Sequence, residues 1–291
     1  MVSDCLIQGR HLSAPDLEQI RTLQAENPSW FRTRLSRKLC ELWEWRNEAG
    51  QLKDMACRTL LLKLEARGFI VLPPRQAASS NAWRNHCPVE MAHDATVLQA
   101  PLATLRPLRV QAVPSGSAQA KLFQFLLHRY HYLGHRNCVG ENLKYLACDR
   151  GGRPLACVLF GSAAWKCQAR DAFIGWNAAQ RQRHLRLLTN NTRLLVLPWV
   201  RVPDFASHLL SRIAGRLSQD WQAKYGHPIH LLESFVQADR FLGRCYRAAG
   251  WIALGSTTGR GRNAPGPAPQ GPVKEIYIRA LKPDWARRLC A

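Results

Sequence analysis

The hydrophobic period of the chain resets repeatedly between Asn190 and Trp251, and that order limits the fold more than any other feature. After the polar start of NNTRLLVLPWV comes a strand over Arg193–Pro198, and Phe205–Tyr225 then carries apolar residues at helical spacing. His230–Val236 is a second strand and Asp239–Ala249 a second helix, with a sharp break at each junction. Such alternation belongs to an α/β domain, in which a sheet is covered by helices.

The flanking segments extend the pattern. Helix Ala118–Tyr130 leads to a turn at His131–His135, and strands Asn142–Asp149 and Pro154–Ser162 are joined by a hairpin at Arg150-Gly151-Gly152-Arg153. Helix Ala178–Leu188 precedes the central stretch. Trp251–Gly255 begins another strand, Gly259–Pro272 is a basic loop rich in glycine and proline, and Lys274–Ala280 is the last strand. The expectation for residues 118–291 is a mixed sheet flanked by helices.

Residues 1–75 form a mostly helical domain. Ser13 precedes Pro15 and Asp16 at a capped helix start, a second helix spans Ser29 to Trp45, and a third begins near Asp54 and stops at Gly68. Phe69–Leu72 is a strand closed by two prolines. Helix, helix, turn, helix, strand is the order of a winged helix-turn-helix module, whose third helix enters the major groove. Lys53, Arg58, Lys63 and Arg67 are its candidate DNA contacts, although a three-helix bundle packed on the main domain has the same order. Residues 76–117 are irregular and serve as a linker.

The charge balance points to a polyanionic partner: 41 Lys and Arg stand against 20 Asp and Glu, a net +21. The excess is uneven. Residues 120–200 hold 12 basic and 3 acidic side chains and residues 240–291 hold 10 and 2, whereas residues 201–239 hold 4 of each. That distribution suits a cleft with an acidic centre and a basic rim, and equally a solvated basic surface. Arg170, Arg193, Arg244 and Arg247 are candidate contacts on the two basic flanks, with Arg260 and Arg262 in the glycine-rich loop, where the backbone can lie close to phosphates. The start of the chain lacks the pattern of a secretory signal, and no apolar run has the length of a membrane span. Ten cysteines without a Cys-x-x-Cys pair suggest reduced, mostly buried thiols and a cytoplasmic location.

Several acids, tyrosines and histidines could carry chemistry. Asp171 lies in a turn before Ile174-Gly175-Trp176. Glu233 sits within the apolar strand and shares a face with Leu231 and Phe235, where a charge needs a partner. It is either a structural ion pair, with Arg193 as the candidate partner, or a general base or metal ligand tuned by burial. With Asp239, Asp171 and Glu233 could hold Mg²⁺ for strand cleavage. Tyr130, Tyr132 and Tyr246 are candidate nucleophiles, stacking platforms or packing residues. His128, His131 and His135 form either a metal site or a polar turn.

The segments RYHYLG, ARDAFIGW, NNTRLLVLPWV, LLESFVQ, RFLGRCYRAAGW and TTGRGR, together with LSRKLCELWEW and KDMACRTLLLKLE, resemble the Druantia anti-phage DruA family, whose related domains also occur beside transposases. The resemblance implies a DNA-interacting component of a defence or mobile-element system, with other defence proteins as partners. Where the family carries an Asp, this chain has Gln237. The C-terminal half also resembles a GNAT acyltransferase core, in which a helix N-terminus holds the pyrophosphate of coenzyme A. The matching loop, Val200–Ser207, has no glycine, loses an N–H at Pro203 and places Asp204 where it could cap the amides itself, which argues against an acyl-CoA-dependent transferase. A DNA-cleaving or DNA-modifying enzyme using Asp171 and Glu233 is the alternative to a binding protein.

Overall fold

The computed structural model describes residues 5–7, 10–46, 50–74, 87–135, 138, 140–259 and 271–291. The chain divides into two compact units, Met1–Asn81 and Ala82–Ala291. Arg260 and Arg262, the candidate phosphate contacts of the glycine-rich loop, lie outside the described residues. No helix among the described residues is long and apolar enough to cross a membrane.

In the first unit an antiparallel hairpin of β1 (Cys5–Ile7) and β2 (Arg10–Leu12) precedes α1 (Ala14–Glu26), α2 (Arg32–Leu42) and α3 (Asp54–Ala66). The start of α1 is set by a reciprocal cap: the Ser13 amide donates to the Asp16 carboxylate at 2.8 Å, and the Asp16 amide donates back to the Ser13 hydroxyl. Leu17 and Ile20 of α1, Leu35 and Leu39 of α2, and Cys57, Leu60, Leu61 and Leu64 of α3 meet in one core with Ile7, Leu12, Ile70 and Leu72.

The expected strand at Phe69–Leu72 is absent. Gly68 ends the preceding turn at φ +75°, and the segment beyond it runs without a strand partner. Its backbone groups are held by side chains instead. Arg21 donates to the Phe69 carbonyl, Gln24 to the Val71 carbonyl and Arg32 to the Pro73 carbonyl, while the Leu72 amide donates to Glu65. Burial of Ile70 and Leu72 fixes the path, so these residues build core rather than a wing.

The second unit carries a seven-stranded mixed sheet. Its strands are β4 (Arg109–Ala112), β5 (Leu143–Cys148), β6 (Pro154–Ser162), β7 (Leu188–Val196), β9 (Leu231–Gln237), β10 (Ile252–Ser256) and β11 (Lys274–Ala280), in the order β10-β11-β9-β7-β6-β5-β4. A separate two-residue parallel pair joins β3 (Leu98–Gln99) to β8 (Val200–Arg201). Residues 76–117 are therefore not all linker. Arg109–Ala112 is an edge strand, hidden in the sequence because it is short and lies between Pro107 and Pro114.

Helices cover both faces, as expected of a mixed sheet flanked by helices. Ala156, Val158 and Phe160 of β6 pack with α7 (Phe205–Tyr225), whose Phe205, Leu209, Ile213, Leu217 and Trp221 form its buried stripe. The intervening Cys157 and Leu159 face the opposite side with α4 (Ala118–Tyr130), following the two-residue alternation of a strand. Shorter helices α5 (Gln168–Ile174), α6 (Ala178–His184), α8 (Arg244–Ala248) and α9 (Trp285–Leu289) complete the unit. Within the seven-stranded sheet, neighbouring strands are antiparallel except β7 and β9, which are parallel and joined by the α7 crossover.

Candidate functional site

A cleft opens at the parallel junction. β7 and β9 are paired only from Leu188 to Asn190 and from Leu231 to Glu233, after which the strands part. The cause lies in β7. Its register against β6 slips between Phe160↔Asn191 and Leu159↔Arg193, so Thr192 is an extra residue and the strand bends at a bulge. Asn191 clamps this bend. Its Nδ2 donates to the Leu159 carbonyl at 3.1 Å and to the Arg193 carbonyl at 3.0 Å, and its Oδ1 accepts from the Tyr246 hydroxyl at 2.6 Å. The Ser234 hydroxyl of β9 lies 3.2 Å from the Asn191 carbonyl and 3.1 Å from the Tyr246 oxygen, a final link between the strands before they separate.

Beyond that link a cavity of about 820 Å³ opens between Asn190–Val196 and Ser234–Gln237. Its rim is formed by Tyr130, His131, Tyr132, Phe241 and Lys274. None of its described lining residues is Asp or Glu. Gln237, where the family resemblance implies an Asp, lines the cleft as a neutral amide.

Arg193 stands in the wall, its Nε donating to the Gly134 carbonyl at 3.1 Å and its Nη1 to the Thr192 carbonyl at 2.7 Å. Burial, together with the Arg193 charge, pushes the His131 pKa down to about 4. That ring is neutral at pH 7, and its Nδ1 accepts the Leu133 amide. His135 is held at about 4 by burial and by the charges of Lys144 and Arg193. The Asn190 side-chain oxygen is buried without a hydrogen-bond partner among the described residues.

Glu233 does not face this cleft. It is fully buried, and its expected partner Arg193 is replaced by Arg170 of α5, also fully buried, at 2.7 Å. The Ala164 amide donates to its other oxygen at 2.6 Å. Burial raises the Glu233 carboxyl above its ordinary range, while the Arg170 charge and the Ala164 amide pull it back. Contact with Glu233 and Asp171 outweighs the effect of burial on Arg170 and strengthens its hold on its proton. The two tendencies conflict, and the geometry favours the ionic form. A neutral Glu233 would leave the Arg170 cation short of a counter-charge in the core.

Arg170 also grips Asp171 through Nε and Nη2, and Arg181 approaches the second Asp171 oxygen at 3.4 Å. Asp171 lies in helix α5, not in a turn. Glu233, one of the four acids of residues 201–239, is thus held in an internal ion-pair network rather than at an acidic centre of the cleft.

This arrangement corrects several expectations. Arg170, a candidate nucleic-acid contact, has no exposed surface with which to reach a phosphate. Asp171 and Glu233 share a guanidinium where a metal would have to sit, and the exposed Asp239 accepts from Gln237 at 3.3 Å. No group of three His, Cys, Asp or Glu among the described residues could hold a metal ion, so these residues do not fit Mg²⁺, nor do the three histidines form a metal centre. Tyr246 is buried, and its hydroxyl is committed to Asn191 while burial raises its pKa, which suits a clamp rather than a proton donor. Tyr130 packs edge-on against Trp199.

The remaining candidates are more accessible. Tyr132 is 37% exposed, with the Arg240 guanidinium 4.7 Å from its ring centre and Phe241 5.2 Å away. Arg244 is exposed, and the exposed Arg247 pairs with Glu275 at 3.2 Å. Lys53, just before α3, and Lys63 on it are exposed, whereas Arg58 is tied to Asp54 at 2.9 Å.

The loop before α7 is short of the free amides that would hold the pyrophosphate of coenzyme A. Pro203 has no N–H, and Asp204 takes a left-handed conformation at φ +58°. Contrary to expectation, the Asp204 side chain makes no cap; its carbonyl accepts from the His208 amide and the Ser207 hydroxyl instead. A carboxylate still stands at the helix start, and no glycine lets a pyrophosphate approach. The residues present do not fit that cofactor.

Sequence reasoning missed Asn191 and Ser234. Their signal was the polar Asn190-Asn191-Thr192 run at the head of an apolar strand, which marks a bulge rather than the end of a loop.

Comparison with known proteins bears on the unit that holds this cleft. No curated protein matches the chain. A spermidine N-acetyltransferase chimera from Vibrio cholerae and a human enzyme is 9% identical, with a TM-score of 0.40, covering 60% of this chain and 95% of its own. Spermidine N-acetyltransferase from Vibrio cholerae, solved with coenzyme A and spermine, is 11% identical with a TM-score of 0.38, covering 58% and 94%. The family model described as Druantia protein DruA matches residues 75–264, which include the bulged strand, its Tyr246 clamp and the buried Arg170–Glu233 pair, and the chain belongs to that family.

Proposed function

We propose that this protein is the DNA-interacting component of a Druantia-type defence system, acting in the cytoplasm with other defence proteins, and that its GNAT-like domain holds DNA through its basic flanks. The observation that carries this reading is the charge of the cleft. Arg193 and Lys274 line it, no described lining residue is acidic, and the nearby carboxylates Glu233 and Asp171 are neutralised internally by Arg170 and Arg181. Arg240 and Arg244 add exposed positive charge on the segment that closes one side. A polyanion entering the cleft meets cations and no carboxylate among its described lining residues, and the exposed Asp239 at its edge stands beside Arg240.

Such binding releases counterions, so log affinity falls linearly with log salt, by about 0.9 per phosphate neutralised. Fluorescence anisotropy with labelled DNA tests this directly. Six or more phosphate contacts predict a loss of about a thousandfold or more between about 50 and 200 mM salt. Affinity that stays level across that range would refute the reading.

A further inference from the structure

We propose that the cleft between β7 and β9 receives a single unpaired nucleotide of DNA, with its base at the Tyr132–Phe241 rim and its phosphate near Lys274 and Arg240. This rests on the DNA-binding reading above and narrows it to single-stranded or locally opened substrate.

Shape gives the first reason. A cavity of about 820 Å³ has the size of pockets that enclose a small ligand. A duplex can lie across such an opening but cannot enter it. The second reason is the mixture of surfaces. Leu194, Val196 and Val236 give the interior an apolar wall. At the mouth, Tyr132 and Phe241 are 37% and 45% exposed and sit with ring centres 5.2 Å apart. The Arg240 guanidinium lies 4.7 Å from the Tyr132 ring and 6.0 Å from that of Phe241. Aromatic rings interleaved with cations are the recurring platform for unstacked bases, because every base offers a π-face and every linkage a negative charge.

The third reason is an unmet hydrogen bond. Asn190 belongs to the cleft lining, and its side-chain oxygen is shielded from solvent with no donor among the described residues. A buried acceptor without a partner is destabilising, because it has lost its water and gained no donor. The exocyclic amine of adenine, cytosine or guanine would supply the missing donor, and only an unpaired base can carry that amine into the cavity, since a duplex cannot enter. Neutral His131 and Gln237 add further groups that can meet a base edge without repelling phosphate.

The test compares a labelled single strand with its own duplex by anisotropy, using wild type, Phe241→Ala and Lys274→Ala, with thermal melts as folding controls. Wild type should prefer the single strand. Phe241→Ala should weaken single-strand binding by roughly tenfold and leave duplex binding within about twofold, given the worth of one stacking contact. Lys274→Ala should weaken single-strand binding and flatten its salt dependence. Equal affinity for both forms, or equal losses for both in Phe241→Ala, would overturn the inference while leaving DNA binding intact. Absence of binding to either probe would overturn the functional reading itself, and this inference with it.

Discussion

Replacing Glu233 by Gln isolates the question of whether its carboxylate works or merely holds the fold. The change keeps the shape and removes the charge. In the native protein one oxygen accepts from Arg170 at 2.7 Å and the other from the Ala164 amide at 2.6 Å. A glutamine must turn its amide nitrogen toward one of these donors, so whichever way it settles a donor faces a donor. Arg170, with no solvent exposure, then keeps only Asp171 as counter-charge. Breaking a buried pair costs about 3–5 kcal/mol, and the retained Asp171 contact favours the lower end. For a unit of this size each kcal/mol moves the melting temperature by about 2–4 °C, which gives a drop of roughly 6–20 °C. The assay is calorimetry of Glu233→Gln, Arg170→Met and a double variant with two apolar residues. The double variant should recover part of the loss, because an unpaired charge is costlier than no charge. A Glu233→Gln protein that melts with wild type but loses DNA binding would refute the structural role and restore Glu233 as a working carboxylate.

Three further outcomes follow from the cleft. His131 and His135 are held near pH 4 in the folded state against an ordinary 6.5, so the unfolded chain takes up protons first. Stability present above pH 6.5 should therefore be lost as pH falls toward 4, on the order of 1 kcal/mol per ring after allowance for partial exposure, and melts of His135→Gln should show a shallower decline. Gly243 sits at φ +64° with its missing Cβ aimed at the Tyr277 ring, so Gly243→Ala combines a left-handed backbone penalty with an overlap. It should lower unfolding free energy by about 2–4 kcal/mol in denaturant titration. Tyr246→Phe removes the hydroxyl that holds Asn191 and Ser234, and should cost about 1–3 kcal/mol and broaden the amide resonances of the Thr192 bulge. An unchanged midpoint in either variant would contradict these contacts.

Much of the frame was legible because its elements carry strong local signals. Phe205–Tyr225 and Lys274–Ala280 lie where periodicity places them, the helix bounded by Pro203 before and by Gly226 at φ +78° after. Local rules failed where geometry over-rode pattern. Asp239–Ala249 has a helical period, but the left-handed Gly243 confines the helix to Arg244–Ala248. β7 begins at Leu188 rather than Arg193, because its polar head serves a bulge. The burial of Glu233 could be read from strand alternation. Its partner could not, since Arg170 reaches it from a helix 63 residues earlier and the nearer Arg193 turns to backbone carbonyls. Partner choice between distant charges is a property of packing, which one-dimensional spacing does not encode.

The parting of β7 and β9 leaves a seam inside a sheet that is otherwise continuous. Successive residues of a strand turn their N–H groups to opposite edges. Along Arg193–Val196, therefore, every second amide is held by β6 while its neighbours look into the opening, and β9 beyond Glu233 has the same division against β11. Hydrogen exchange should alternate residue by residue along both strands, slow and fast in turn. An occupant of the seam would quiet only the fast set, so its footprint would be a comb of alternate residues rather than an unbroken block.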